Sequence, residues 1–243
     1  MTTAIEVRGL DFSYERAKAP VLRDFSICIE SGWRCILVGA NGAGKTTLLR
    51  VLGGKHLVAK DKVRVLGRPA FHDTSLSDEV ELLGGVFPFT EDIRVGALAD
   101  GVMGVDPARK QRLMQVLEID RDWHMHTVSD GQRRRVQVLL GMLRPSKVLL
   151  LDEVTTDLDV VARQELLDFL VEENQAQGTT IMYATHIFDG MEPWATHIAY
   201  IRQGRLVTLC PIDELRELQA QRAQGSTAPL LRVVLDWLLA ERD

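Results

Sequence analysis

The run Gly39-Ala40-Asn41-Gly42-Ala43-Gly44-Lys45-Thr46 has the residue types and spacing to hold a phosphate. It follows Cys35-Ile36-Leu37-Val38, a short buried-strand pattern, and precedes Thr47-Leu48-Leu49-Arg50-Val51-Leu52, the start of a helix. Strand, glycine-rich loop and helix is the context that a phosphate-binding loop requires. Glycines let the backbone turn tightly and present its N–H groups to phosphate oxygens, and the positive end of the following helix favours an anion. Lys45 is spaced to reach the β- and γ-phosphates and Thr46 to ligate Mg²⁺. Gly39, Asn41, Gly42, Ala43, Gly44 and Thr47 complete the candidate cradle. Further on, Val148-Leu149-Leu150-Leu151 is a fully apolar strand that ends in Asp152-Glu153. Such a strand carries an acidic pair to the edge of a sheet. Asp152 is the candidate to hold Mg²⁺, usually through water, and Glu153 the candidate general base for an attacking water.

The surrounding pattern supplies elements to position these groups. Ala4–Arg8 and Phe25–Glu30 alternate as strands ahead of the glycine loop, and Val63–Gly67 reads as a strand and turn. The helix after Gly44 should stop at Gly53-Gly54. Leu82 to Val86 reads as a strand running into a loop, while residues 68–82 as a whole give no clear period. Residues 88–145 then read as a helical insertion. Asp106-Pro107 opens one helix, and Ser129-Asp130-Gly131-Gln132 fits a capping box opening another. Asp159 caps a helix stopped by Gly178, Thr179–Ala184 is a strand, and Thr196–Ile201 with Arg205–Leu209 flank Gln203-Gly204 as a hairpin. The expected organisation is one domain over residues 1–222, a linker at 223–228 and an amphipathic C-terminal helix over 229–243.

Composition narrows the function classes. Apolar residues are 46% of the chain and charged residues 26%, with net charge −5, which disfavours nucleic-acid binding by bulk electrostatics. No basic-then-apolar leader opens the chain and no apolar run reaches membrane-spanning length. Cys28, Cys35 and Cys210 form no C-x-x-C pair and read as buried structural thiols. His124 and His126 suggest a metal pair, but with no third ligand nearby they read as structural. Arg133-Arg134-Arg135 reads as a solvated helix start that offsets Asp130. The stripe from Leu230 to Leu239 reads as packing on the body, with Trp237 leaving a partner surface open.

The ordered set of motifs resembles the ATP-binding-cassette ATPases over residues 4–215. Val128-Ser129-Asp130-Gly131-Gln132 is similar to their signature loop, with Asp130 where Gly is usual. Thr156-Asp157-Leu158-Asp159 resembles their D-loop, His186 their switch histidine, and Tyr14 the aromatic that stacks on adenine. Finer matches at Gly54–His56, Ala70–Thr74, Trp123–His126 and Tyr183–Gly190 resemble the soluble, non-intrinsic members of plants and fungi, which include a factor associated with the Ccr–Not transcription complex. The resemblance implies an α/β P-loop core with an antiparallel β subdomain and a helical insertion. It implies ATP and Mg²⁺ as ligands, and Glu153 and His186 as catalytic residues. It also implies a head-to-tail homodimer in which Ser129, Gly131 and Gln132 cap the ATP of the partner. A regulatory ATPase with a soluble protein partner, such as a transcription-regulatory complex, is the leading expectation, in the cytoplasm or also the nucleus. A transporter subunit and a non-hydrolysing scaffold are the alternatives. One departure bears on them: Val86 occupies the position of the family's coupling glutamine, and no Gln occurs between Met1 and Lys110.

Overall fold

The computed structural model describes residues 2–15, 19–85, 87 and 91–241. Val86, and Pro88-Phe89-Thr90 after it, lie outside the described residues, so the expectation placed on Val86 has no structural counterpart. Two sheets enclose the first helix. Strands β1 (Thr3–Phe12) and β2 (Leu22–Glu30) pair antiparallel, and β3 (Arg34–Val38) leads into α1 (Lys45–Leu52). β4 (Val63–Val65) and β5 (Arg68–Pro69) complete a four-stranded sheet in the order β2-β1-β4-β5.

After a 3₁₀ turn at Thr74–Asp78, β6 (Val80–Leu83) enters the second sheet. The helical insertion follows as α2 (Val95–Gly101), α3 (Pro107–Val116) and α4 (Asp130–Met142). Then come β7 (Val148–Asp152), α5 (Val160–Gln177), β8 (Thr180–Ala184), α6 (Met191–Trp194), β9 (His197–Arg202) and β10 (Arg205–Pro211). The order of this six-stranded sheet is β10-β9-β3-β8-β7-β6, parallel throughout except for the β9–β10 hairpin. α7 (Arg216–Ala223) and α8 (Pro229–Leu239) close the chain.

The apolar runs of β3, β7 and β8 are buried on both faces, as parallel strands covered on two sides must be. Cys35, Leu37, Val148, Leu150, Met182 and Ala184 pack with Leu48, Leu49, Val51 and Leu52 of α1 and with the antiparallel sheet. Their alternate neighbours Ile36, Val38, Leu149, Leu151, Ile181 and Tyr183 pack against α4 and α5. Each large apolar side chain so buried contributes roughly 1.5–3 kcal/mol. The central strands are therefore held from both sides, and their carboxyl ends are a rigid platform for loops.

The local capping signals appear where expected. Asp106 accepts from the N–H groups of Ala108 and Arg109, and Asp159 from those of Val161 and Ala162. Gly178 ends α5 with φ 68°. Three expectations change. β6 ends at Leu83 rather than running to residue 86, because Gly84 takes φ 143° and turns the chain away. Cys35 is buried, which pushes its thiol up to about 12, but Cys28 is exposed and Cys210 only half-buried. Arg134 and Arg135 are not merely solvated: Arg134 donates to the Gly85 carbonyl at 2.8 Å, and Arg135 pairs with Glu118 at 2.6 Å. The C-terminal stripe packs on the body as read: Leu230, Val233 and Val234 are buried, and the half-buried Trp237 stacks its ring on Tyr200 with centroids 4.6 Å apart.

Candidate functional site

The site is assembled at the carboxyl ends of β3, β8 and β7, adjacent in that order in the sheet. The loop after β3 needs glycine at two kinds of place. At Gly39 a side-chain carbon would sit 2.4 Å from the Ile201 carbonyl oxygen, so the loop can pass β9 only without one. At Gly44, φ is 110°, which starts α1 at an angle no L side chain adopts easily. The first intrahelical bond of α1 is Leu48 N–H to Gly44 C=O at 2.8 Å. The N–H groups of the preceding turn therefore have no intrahelical acceptor and point toward the loop, the arrangement that receives an anion.

Lys45 folds over the loop and donates to the carbonyls of Gly39 at 2.7 Å and Ala40 at 3.1 Å. Burial holds its ammonium below the ordinary lysine value, against the opposing pull of Glu153 and Asp152. An incoming polyphosphate would compensate that desolvation with its own charge. Asn41, Gly42, Gly44, Lys45, Thr46 and Thr47 line one cleft of 370 Å³ together with Asp152 and Glu153. Cationic side chain, backbone donors, hydroxyl and carboxylates thus meet in one concavity. This donor set fits a magnesium–nucleotide pair, with hard oxygen ligands for the cation and N–H donors for the phosphates.

Glu153 and His186 meet because β7 and β8 are paired in register. Asp152 lies opposite Ala184, and the Glu153 N–H donates to the Ala184 carbonyl at 3.0 Å. His186, two residues on, brings its Nδ1 to 2.8 Å from Glu153 Oε2. Glu153 holds φ 55°, a left-handed conformation that costs a non-glycine residue of order 1–3 kcal/mol and is met at functional positions. Behind it, Thr155 and Tyr183 pair through their hydroxyls at 2.6 Å, and Thr156 Oγ1 donates to the Glu153 carbonyl at 3.2 Å.

Tyr14 is brought to α1, where its hydroxyl sits 3.2 Å from Thr47 Oγ1. Its ring meets Phe12 and His56 edge-on, each at 5.3 Å, and remains 37% exposed. Tyr14 is not among the residues lining the cleft.

Ser129, Gly131 and Gln132 are not brought to this cleft. Ser129 caps α4 by accepting from the Gln132 N–H at 3.2 Å, while Gln132 Oε1 accepts from the Ser129 N–H at 2.9 Å. The capping box therefore occupies the Gln132 side chain, which was expected to face nucleotide. A side-chain carbon on Gly131 would lie 3.4 Å from Asp157 Cβ, so the first turn of α4 abuts the segment after Glu153.

Two features went unnoticed in the sequence. Gly84 lies so close to Asp152 that a side-chain carbon there would sit 2.5 Å from Asp152 Cβ. From α4, Arg134 and Gln137 reach back to the Gly85 and Gly84 carbonyls at 2.8 and 3.2 Å. A Gly-Gly pair after a strand hints at a turn but not at its neighbour.

The fold and the site together define a P-loop nucleotide-binding domain with an inserted helical subdomain. The chain belongs to the ATP-binding cassette family: the family described as ABC transporter matches residues 22–156. It is 48% identical to ABC transporter I family member 20 of Arabidopsis thaliana, over 99% of this chain and 77% of that one. To member 21 of the same plant it is 50% identical, over 98% and 86%. CCR4-associated factor 16 of Saccharomyces cerevisiae is 41% identical over 84% and 77%. The solved ATP-binding subunit of an ABC transporter superposes with TM-score 0.78 at 21% identity, covering 98% of this chain and all of that one. A dimeric ATP-binding cassette in a post-hydrolysis state with ADP and Pi superposes with TM-score 0.70 at 17% identity, over 86% and 98%. At those identities the likeness is one of fold. Among the described residues no helix is long and apolar enough to cross a membrane.

Proposed function

We propose that this chain binds MgATP in the cleft at the start of α1 and hydrolyses it in an ATP-driven head-to-tail homodimer, switching a protein partner between two states. The observation that carries the reading is the shared cleft of Lys45, Thr46, Asp152 and Glu153, with Glu153 bonded to His186. Lys45 and the N–H groups at the start of α1 orient the phosphates. Thr46 and Asp152 would hold Mg²⁺, which would neutralise phosphate charge when bound. Glu153 accepts the proton of the attacking water, and His186 fixes the Glu153 carboxylate through Nδ1. The exposed face of Tyr14 receives the adenine ring.

The position of Ser129 supports the dimer. The signature loop lies outside the cleft of its own chain, which leaves it available to close the cleft of a second copy. Each copy then offers one phosphate loop and one Ser129 loop, a self-complementary two-fold arrangement. The dimeric cassettes among the solved relatives support this geometry. The name of the yeast relative, CCR4-associated factor 16, supports a protein partner; the resemblance is what makes that partner a transcription-regulatory complex and the location cytoplasmic, with the nucleus as a second site.

Replacing Glu153 by Gln tests the reading. Turnover should fall by about 10²–10⁴ while ATP still binds. The variant should sediment as a dimer with MgATP and as a monomer without it, since ligand held in an interface drives assembly by mass action. Lys45→Ala should lose ATP binding. Wild-type turnover in Glu153→Gln, or a monomer under both conditions, would overturn the assignment.

A further inference from the structure

His124 and His126 do have a third ligand beside them. Asp92 lies 32 positions upstream of His124, and the backbone brings the two segments side by side. Val95 N–H donates to the Trp123 carbonyl at 2.8 Å and Met125 N–H to the Ile93 carbonyl at 3.0 Å, around an antiparallel bridge between Arg94 and His124. That register sets Asp92 opposite His126. Met125 is completely buried, so its neighbours His124 and His126 must both face outward. Arg94, also on the outward face, turns to Asp122 at 3.8 Å and leaves the other three side chains to converge. The Nδ1 atoms of His124 and His126 lie 2.6 and 2.9 Å from one oxygen, Asp92 Oδ1. The two rings stand at 88° to each other, so each presents a nitrogen edge and neither covers the other.

We propose that Asp92, His124 and His126 bind one divalent transition cation, Zn²⁺ being the ion the donor set suits best. Two imidazoles and a carboxylate are ligands for Zn²⁺ and its neighbours in the first transition row, whereas Mg²⁺ and Ca²⁺ take oxygen ligands. The potential ligand atoms all lie within 4.8 Å of one another. Tetrahedral zinc with bonds of about 2.0–2.1 Å separates its ligand atoms by roughly 3.3 Å. The carboxylate–imidazole separations need only widen by less than an ångström, through rotation of side chains that are 40–66% exposed. Water completes the shell on the open side. The cation would clamp the segment before α2 to the segment that runs from Trp123 into Ser129, so it would stiffen the approach to the loop that caps α4. This site is separate from the phosphate cleft and does not depend on the hydrolytic reading.

Titration calorimetry with ZnCl₂ on the full-length, nucleotide-free chain tests the proposal, with Co²⁺ absorption as a second readout of imidazole ligation. One Zn²⁺ per chain should bind with micromolar affinity. His124→Ala, His126→Ala and Asp92→Asn should each weaken it by about 10–100-fold, with metal-free melting unchanged because all three side chains are exposed. Asp92→Asn keeps the size and hydrogen-bonding shape of the side chain, so it carries the test even if a histidine variant folds poorly. Cys28→Ser and Asp152→Asn, which alter the exposed thiol and the phosphate cleft, should leave the binding intact. No stoichiometric binding, or binding that survives in Asp92→Asn and the double histidine variant, would overturn it. So would binding lost in Cys28→Ser or in Asp152→Asn.

Discussion

Replacing Gly84 by Ala tests whether the end of β6 holds Asp152 in place. The new Cβ would lie 2.5 Å from Asp152 Cβ and 2.7 Å from the Asp152 carbonyl oxygen. Ordinary carbon contacts are about 3.5–4.0 Å, so one side must retreat by about 1 Å. One neighbour is the backbone at the end of β7 and the other is the Cβ fixed to it, so neither can swing aside as the far end of a side chain would. A displacement of about 1 Å in a positioned group costs on the order of 10² in rate, or about 2.7 kcal/mol of barrier. Overpacking should also lower folding stability by about 1–3 kcal/mol. Gly85→Ala is the control. It shares a left-handed φ, 72° against 143°, but its nearest neighbour is the tip of Arg50 at 3.5 Å. It should lose roughly 1–2 kcal/mol of stability through the backbone alone and keep Asp152 where it is. ATP affinity would be measured with Mg²⁺ and with chelator, and turnover beside it. Gly84→Ala should lose the Mg²⁺-dependent part of the affinity and about 10²-fold in turnover, while Gly85→Ala keeps both. Equal behaviour of the two variants, or wild-type Mg²⁺ dependence in Gly84→Ala, would refute the steric argument.

Burial raises the carboxyl of Glu81 from an ordinary 4.5 to about 7, against a smaller pull from Lys55. Its contribution is fully present below about pH 4.5 and lost as pH rises through 7, because the folded state binds the extra proton across that window. Glu81→Gln should therefore gain at most about 3 kcal/mol at pH 8, and almost nothing near pH 4.5, by urea unfolding; an equal gain at both would sink the idea. Arg109 of α3 pairs with Glu173 of α5, both nearly buried, and also donates to the Met142 carbonyl at 2.8 Å. Arg109→Met should cost about 3–5 kcal/mol by stranding the Glu173 charge, and adding Glu173→Leu should restore most of it. A double variant as unstable as the single one would show that the loss came from packing.

How much of this was legible in the sequence depended on the range of the interactions. The glycine-rich loop between β3 and α1, the Ser129–Gln132 box and the Asp106 and Asp159 caps are set by residues within a few positions of each other, and each takes the local structure that was read. The strand ending at Asp152 was readable because burial on both faces leaves a continuous apolar run. Residues 68–82 gave no period because β5 is two residues long and held by pairing with β4, and the 3₁₀ turn after it is capped by Asp73. Gly84 against Asp152 and Arg134 against Gly85 were illegible for a different reason. They join positions far apart in the chain, and nothing in either partner's own neighbourhood specifies the other. Asp92 beside His124 and His126 belongs to the same class: the histidine pair is visible as spacing, its carboxylate only as a register.

Those long-range contacts also tie the start of α4 to the acidic pair. Asp152 is packed against Gly84, so a cation or γ-phosphate that moves the Asp152 backbone must also move the turn after β6. That turn does not end freely. Its carbonyls accept from Arg134 and Gln137, one turn apart on α4, and Arg134 Nη1 further braces Gln137 Oε1 at 2.8 Å. On the other flank, the segment after Glu153 places Asp157 beside Gly131 and 4.0 Å from Arg134 Nε. The first turns of α4 are thus held at two points, and both lead back to the acidic pair. A helix held at one point could pivot, whereas one held at two can only shift as the whole site shifts. Since Ser129 and Gln132 lock the cap to the helix, the Ser129 loop is carried by α4 as one piece.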